Sequence, residues 1–213
     1  MKVREAVKGI KMSLLGKKSK KKPLYQDTRF PQDQFEAIIK SLGSSRIGSI
    51  LEVGCNQGRL LRMFKEAGNF CVGVDLNPYW KASSADAALG VYPVDEDLID
   101  MLPVFDGVLL LSVHHQWVKK LGDERAQKKL KKLSEHARKV FFVEFSALAK
   151  KYGYTQGERF IDNDEETVVA YAISWLEGAG FSGTVYVGKN REFPPVEPYR
   201  YLFRITPTLS EAT

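Results

Sequence analysis

The sequence predicts one α/β domain built on a doubly wound, mostly parallel sheet with helices on both faces. Two observations carry this prediction. Between residues 49 and 77, an apolar strand, a glycine turn, an amphipathic helix and a second apolar strand follow one another. A further apolar run at 108–111 has the composition of a parallel strand that is buried on both faces. The chain has 213 residues, 44% of them hydrophobic, which suits one domain with a sizeable core.

The cycle at 49–77 starts with the predicted first strand. Ile50, Leu51 and Val53 form a short apolar run that stops at Gly54. Gly54 and Gly58 bracket a turn, where glycine allows backbone conformations that are closed to other residues. Apolar residues at helical spacing follow the turn, so we expect a helix directly after Gly58.

The second strand of the cycle, 70–74, ends at Asp75, where a carboxylate can accept hydrogen bonds from both hydroxyls of a ribose. Asp75 follows Gly54 by 21 residues, a spacing that nicotinamide dinucleotide sites share. Those sites need a central glycine beside the pyrophosphate, and this chain has Asn56 there. We therefore expect a nucleoside held by its ribose next to the turn, with Glu52 in the preceding strand end. A nicotinamide dehydrogenase is kept as an alternative.

Two segments of this cycle, E-V-G-C-N-Q-G at 52–58 and G-V-D-L-N at 73–77, resemble motif I and its successor in class I S-adenosylmethionine-dependent methyltransferases. The resemblance implies a Rossmann-like, seven-stranded sheet that ends in an antiparallel hairpin, with S-adenosylmethionine as the cofactor. The alternative is an ordinary Rossmann-like strand and turn that does not bind this cofactor. For one residue of the set that follows, Asp95, the alternative is that it caps a helix. The cofactor-binding residues expected from the resemblance are Glu52, Gly54, Asn56, Gly58, Asp75, Leu76, Asp95 and Ser112.

The rest of the chain predicts further alternating helices and strands. Residues 23–43 predict a linker and a covering helix whose core face carries Phe35, Ile38, Ile39 and Leu42. The other predicted elements are a helix at 78–89, strands at 90–94, 139–145, 184–187 and 201–206, and helices at 123–137 and from 162 onward.

The candidate catalytic residues lie at the carboxyl ends of the fourth and fifth predicted strands. Ligands bind at the carboxyl ends of strands in open parallel sheets, and His114 and His115 follow the strand at 108–111. Methyl transfer often needs a base near neutral pH, which suits imidazole, so either histidine is a candidate base. A capping or core histidine is the alternative. Glu144, near the end of the fifth strand, is a second candidate for a base or an acceptor-binding group, with a structural salt bridge as its alternative.

The candidate acceptor-binding residues are Tyr25, Arg29 and Trp117. Alternatively, Arg29 is an ordinary surface residue. Trp117 could instead pack beneath the next helix. Neither an Asn/Asp-Pro-Pro-aromatic signature nor a Pro-Cys pair is present at the fourth strand, which disfavours methylation of nucleobase amines and of pyrimidine C5. We expect an oxygen or nitrogen acceptor in a small molecule, an RNA, or an envelope lipid or saccharide.

A second resemblance covers less of the chain. The segment G-C-N-x-G, and the sequence L-S-V followed by Trp117 and Gly122-Asp123, are similar to RNA 5′-end methyltransferases of the bicoid-interacting type. The chain departs from that pattern at His114 and His115. An RNA acceptor is therefore one of the alternatives.

Charge divides the chain into a basic tail and a nearly neutral domain. Residues 1–22 hold nine basic side chains and one acidic one, so this tail is +8 and the remainder is −2 of the total +6. Apolar residues at helical spacing among the lysines predict an amphipathic helix that could contact RNA or an anionic membrane surface. A solvated extension is the alternative. We expect a tail at 1–22 and a methyltransferase domain at 23–213, and a non-catalytic module docked by the tail is the alternative function.

Nothing in the composition predicts a membrane span, a secretory signal, a metal site or a disulfide. We expect a cytoplasmic location, with peripheral membrane contact as an alternative. The two cysteines, Cys55 and Cys71, are expected to be small buried hydrophobic residues.

Overall fold

The computed structural model describes residues 31–56, 58–75, 88–89, 101–111, 113–146, 165–191 and 199–207. The described helices are α1 (Pro31–Leu42), α2 (Arg59–Glu66), α3 (His114–Leu121), α4 (Asp123–Ser134) and α5 (Glu165–Gly178). The described strands are β1 (Ser49–Val53), β2 (Phe70–Val74), β3 (Ala88–Leu89), β4 (Phe105–Leu110), β5 (Ala137–Ser146), β6 (Val185–Arg191) and β7 (Tyr199–Ile205). The predictions for residues 1–22, Tyr25, Arg29, Leu76, Asp95 and Ser112 lie outside the described residues.

The strands form one sheet in the order β3-β2-β1-β4-β5-β7-β6. β1 lies between β2 and β4 and is parallel to both, and β4 is parallel to β5. β7 is antiparallel to β5 and to β6. The predicted mostly parallel α/β sheet with an antiparallel end is therefore confirmed. The strand order reverses between β1 and β4, which is where open α/β sheets bind ligands, at the carboxyl ends of the strands.

The core has two layers, one on each face of the sheet. On the α1 face, Ile50, Phe142 and Leu202 belong to the same buried cluster as Ile38 of α1. The α5 face has a second buried cluster, in which Trp175 of α5 lies among side chains of the alternate strand positions. Those strand side chains are Leu51, Val53, Val143, Phe145, Tyr201 and Phe203. Because strand side chains alternate between faces, neighbouring residues at one strand end face different layers.

The helix predicted at 78–89 is wrong at its C-terminal end. Ala88 and Leu89 form β3, which pairs in parallel with Val72 and Gly73 of β2. Alanine favours a helix, but pairing with a neighbouring strand overrides that weak preference. The third strand predicted at 90–94 lies outside the described residues. β4 and β5 each begin before the predicted position, at Phe105 and Ala137.

The buried face of α1 shares Ile38 and Leu42 with the predicted core face, but it includes Gln34 and leaves Ile39 exposed. Gln34, Ile38 and Leu42 are buried, whereas Ile39 is 40% exposed. The buried residues recur at every fourth position, the spacing that keeps side chains on one side of a helix. A polar residue occupies the interior position nearest the start of the helix because Glu144 provides it with a hydrogen-bond partner.

Both cysteines are buried free thiols, as predicted. Burial, together with the nearby Glu52 carboxylate, raises the pKa of Cys71 to about 12. Cys71 therefore stays protonated and packs as a small apolar residue. Within the described residues, no helix is both long enough and apolar enough to cross a bilayer.

Candidate functional site

The turn after β1 folds back against the end of β2. The amide groups of Gly54 and Cys55 both donate to the carbonyl oxygen of Val74, at 2.7 and 3.1 Å. Gly54 has φ +78°, and a Cβ placed on it would lie 2.2 Å from Cγ2 of Val113, directly before α3. A glycine is required here for its backbone conformation and for the close approach of Val113. The turn is thereby packed against the segment that carries both candidate histidines.

Asn56 occupies the place at which a dinucleotide site has its central glycine. Its φ is +50°, a left-handed conformation that asparagine adopts more readily than most residues. Its side chain is 8% exposed, and Oδ1 accepts no hydrogen bond from any described residue. A buried acceptor without a partner costs about 1–3 kcal/mol, so this oxygen can accept a hydrogen bond from a donor that is not among the described residues.

Asp75 joins the end of β2 to the same turn. The backbone N–H of Asn56 donates to Asp75 Oδ2 at 2.8 Å, so the carboxylate lies directly beside the turn. Glu52 is 2% exposed in β1, and Gly58, at φ +66°, is the N-cap residue of α2. The structure therefore brings together five of the predicted cofactor-binding residues. They are Glu52, Gly54, Asn56, Gly58 and Asp75.

His114 is the first residue of α3 and lies in the core on the α5 face. Its ring centroid is 3.9 Å from that of Phe145 and 4.5 Å from that of Trp175. Burial lowers the pKa of His114 from 6.5 to about 3, so its imidazole is neutral at pH 7. Such a weak base is poorly suited to take a proton at neutral pH. This is the geometry of the core histidine that the sequence analysis gave as the alternative.

His115 faces the other way. Its Nδ1 lies 3.2 Å from Nη1 of Arg200, and both side chains are at least 95% buried. Arg200 pairs with Ser146 of β5 at the carboxyl end of that strand and alternates with Tyr201 along β7. Tyr201 belongs to the α5-face cluster, so the strand position of Arg200 is on the α1 face. Two consecutive histidines thus have partners on opposite faces of the sheet.

Glu144 is fully buried on the α1 face. Nε2 of Gln34 donates to its Oε1 at 2.9 Å, across a separation of 110 residues. Ser146, two residues further along β5, is 7% exposed, and its Oγ has no hydrogen-bond partner among the described residues. Several buried polar side chains therefore lie on the α1 face, where β5 ends and β7 begins. We call this set of side chains the α1-face polar cluster. Its members are Gln34, His115, Glu144, Ser146 and Arg200.

Three members of this cluster were missed by the sequence analysis: Gln34, Ser146 and Arg200. The sequence does contain a signal for two of them. Gln34 continues the four-residue spacing of Ile38 and Leu42, and Arg200 alternates with apolar side chains in Y-R-Y-L-F. A polar residue on a core-facing repeat needs a buried partner, and that partner is visible only in the folded chain.

Trp117 lies in the core on the α5 face and is 6% exposed. Nζ of Lys129, in α4, lies 4.9 Å from the centroid of its ring, a cation–π contact. The ring therefore packs beneath the next helix, which is the alternative that the sequence analysis gave to a contact with the acceptor.

No protein-family profile and no curated protein sequence matches the chain. Solved structures do. The bifunctional kinase-methyltransferase WbdD is similar over 82% of this chain, with 19% identity and a TM-score of 0.55, and the match covers 38% of WbdD. Magnesium protoporphyrin IX methyltransferase, ChlM, from Synechocystis PCC 6803 with bound SAM has 16% identity and a TM-score of 0.53, with 83% of this chain and 79% of ChlM covered.

The N-terminal domain of EvdMO1, crystallised in the presence of SAH and D-fucose, is similar over nearly its whole length. The identity is 15% and the TM-score is 0.57, and the match covers 97% of this chain and 96% of that domain. These similarities show that the chain has the fold of S-adenosylmethionine-dependent methyltransferases. The chain spans 38% of the length of WbdD, so the comparison with WbdD concerns one part of that protein.

Proposed function

We propose that the protein transfers the methyl group of S-adenosylmethionine to an oxygen or nitrogen atom of an acceptor. The observation that carries this proposal is the position of Asp75 at the carboxyl end of β2, where its carboxylate accepts a hydrogen bond of 2.8 Å from the backbone N–H of Asn56 in the turn after β1. An acidic side chain there suits the two hydroxyls of a ribose. The proposal is supported by the SAM and SAH present in the structures of ChlM and EvdMO1.

The described residues fit this cofactor at a second point. Oδ1 of Asn56 is a buried acceptor with no donor among the described residues, and the amino group of a bound S-adenosylmethionine is a donor. When bound, the cofactor supplies a methyl group on a positively charged sulfur. The chain's own task is to hold the cofactor at the turn and to align the acceptor behind that methyl group. Leu76, Asp95 and Ser112 are proposed to complete the cofactor site.

The cofactor assignment is tested by calorimetry with S-adenosylmethionine. Asp75→Ala should weaken binding at least about tenfold, because it removes charge-assisted hydrogen bonds that each contribute about 1.5–3 kcal/mol. Glu66→Ala removes a carboxylate from the exposed end of α2 and serves as the matched control, with unchanged affinity. Absence of binding by the unmodified protein, or equal affinity in Asp75→Ala, would overturn the assignment.

For the proton that leaves the acceptor, we propose Glu144 in place of His114. Glu144 is at the carboxyl end of β5 on the α1 face, whereas His114 is enclosed by two aromatic rings on the α5 face. The hydrogen bond from Gln34 Nε2 to Oε1 orients the carboxylate, and a carboxylate is a group that can accept a proton. His114 then has a structural role.

Glu144→Gln separates these roles, because the amide oxygen can still accept the hydrogen bond from Gln34. We expect unchanged affinity for S-adenosylmethionine and a loss of turnover of roughly a hundredfold. Turnover is followed as transfer of radiolabelled methyl groups into fractionated cell extract. Full turnover in Glu144→Gln, together with a hundredfold loss in His114→Gln, would restore His114 as the base.

The acceptor is proposed to be a small molecule or a saccharide. ChlM is named for magnesium protoporphyrin IX, and the EvdMO1 domain was crystallised with D-fucose, which supports this class. An RNA acceptor stays a prediction from the second resemblance. Contact of residues 1–22 with RNA or an anionic membrane stays a prediction from the charge and apolar spacing of that tail. The alternative function is a non-catalytic binding module. Such a module would bind S-adenosylmethionine or its docking partner, but unlike a methyltransferase it would transfer no methyl group.

A further inference from the structure

β5 extends past the end of its parallel neighbour β4. One row of paired residues crosses the parallel strands where β4 ends. Its members are Val74 of β2, Val53 of β1, Leu110 of β4 and Val143 of β5. β4 stops at this row, whereas β5 continues through residues 144–146 and ends at Ser146. At about 3.3 Å per residue, Ser146 lies roughly 10 Å beyond the row, toward the edge at which parallel sheets bind ligands.

Ser146 follows Glu144 on the same face of β5. Side chains of a strand alternate between faces, and Phe145, between these two residues, belongs to the α5-face core. Ser146 is therefore the next side chain along the α1 face, about 7 Å from Glu144 in the direction of the ligand-binding edge. Its strand partner is Arg200, and this pair ends the ladder between β5 and β7. An acceptor that gives its proton to Glu144 therefore lies next to Ser146.

The hydroxyl of Ser146 has no hydrogen-bond partner in the part of the chain that the structure describes. The residue is 7% exposed, and its Oγ is buried. A hydroxyl can donate one hydrogen bond and accept two, so a buried hydroxyl without partners is unfavourable. Alanine would fit the same position without that cost. The described fold therefore gives no reason for a hydroxyl at this position, whereas a bound molecule with a polar group does.

We propose that Ser146 is a binding residue for the methyl acceptor, and that its Oγ forms a hydrogen bond with a neutral hydroxyl or amide group next to the atom that is methylated. This rests on the proposed function, in which Glu144 receives the acceptor's proton. A neutral group is favoured because removing a charge from water costs far more than removing a hydroxyl. The acceptor class implied is a small molecule with several hydroxyl or amide groups.

The unpaired hydroxyl is tested without any ligand by urea unfolding of the full-length protein. Ser146→Ala should leave the urea midpoint unchanged or raise it, because it removes a buried hydroxyl that has no partner. Ser49→Ala is the matched control at the start of β1. The Ser49 Oγ accepts a hydrogen bond of 2.9 Å from the backbone N–H of Asp106, so its loss should lower the midpoint. A lower midpoint in Ser146→Ala would show that its hydroxyl has a partner within the folded chain, and would overturn the proposal.

The contact with the acceptor is tested with radiolabelled S-adenosylmethionine and increasing amounts of the extract fraction that accepts its methyl group. Ser146→Ala should raise the half-saturating amount of that fraction at least about fivefold, because a polar group of the acceptor loses its partner. The affinity for S-adenosylmethionine and the turnover at saturation should change by less than about twofold. Ser49→Ala should leave the half-saturating amount unchanged. If Ser146→Ala also leaves it unchanged, the hydroxyl does not contact the acceptor.

Mass spectrometry of the labelled product tests the acceptor class. We expect a hydroxyl or amide group next to the methylated atom, and a product with only carboxylate or phosphate groups there would overturn the class. Failure of the proposed function gives a different result, because the unmodified protein would then bind no S-adenosylmethionine and transfer no label. The role of Ser146 toward a methyl acceptor would be overturned with it, whereas a lower urea midpoint in Ser146→Ala overturns that role alone.

Discussion

Replacing Gly54 by alanine is expected to abolish measurable binding of S-adenosylmethionine and to lower the free energy of unfolding by about 2–5 kcal/mol. Two costs add. The φ of +78° is a left-handed conformation that costs a residue with a Cβ about 1–2 kcal/mol. The new Cβ would also lie 2.2 Å from Cγ2 of Val113, well inside the distances that real contacts show, so the turn must move away from α3.

The two costs can be measured separately with a matched control. Gly43 has φ +57° with nothing within 4 Å of an added Cβ, so Gly43→Ala carries the conformational cost alone. Val113→Ala in the Gly54→Ala background removes the methyl group at 2.2 Å and should recover the contact cost but not the backbone cost. Urea unfolding gives the free energies, and calorimetry gives the cofactor affinity. If Gly54→Ala is no less stable than Gly43→Ala, the close packing of the turn on Val113 is wrong.

The second large effect concerns acid stability. The pKa of His114 is about 3 in the folded protein because of burial, against 6.5 for an unburied histidine. Between pH 6.5 and pH 3, His114 binds a proton in the unfolded chain but stays unprotonated in the folded chain. The free energy of unfolding therefore falls as the pH drops from 6.5 toward 3. The slope from this group is about 1.4 kcal/mol per pH unit, and its contribution is complete above pH 6.5.

His114→Leu should remove this component of the acid slope. We expect urea unfolding between pH 7 and pH 4 to show a flatter loss of stability in His114→Leu than in the unmodified protein, by roughly 3 kcal/mol over that range. His136→Gln, at a half-buried histidine after α4, serves as the control and should retain the steep slope. An acid slope in His114→Leu equal to that of the unmodified protein would show that His114 is protonated without cost in the folded state.

The part of the site that is proposed to bind the methyl donor was predictable from the sequence, because the residues that indicate it lie close together in the chain. The apolar run of β1, the turn and the strand that ends at Asp75 lie within 29 consecutive residues, from 49 to 77. Gly54 predicts a turn with a backbone conformation that is closed to other residues, and the structure has φ +78° there. The left-handed φ of +50° at Asn56 was not predicted. The mostly parallel sheet followed from the same kind of local pattern, since a strand buried on both faces is apolar throughout.

The other half of the site was decided by tertiary structure. Glu144 receives its hydrogen bond from Gln34, 110 residues away, and His115 contacts Arg200, 85 residues away. The antiparallel register of β7 on β5 places Arg200 opposite Ser146, and a shift by one residue would move every side chain of β7 to the opposite face. The sequence therefore determined that two histidines follow one strand and that a glutamate lies near the carboxyl end of another. Only the tertiary structure decided that His114 enters the core while His115 joins the α1-face polar cluster. Consecutive residues of a helix point about 100° apart, and the packing of α3 between Trp175 of α5 and Arg200 of β7 selects the partner of each.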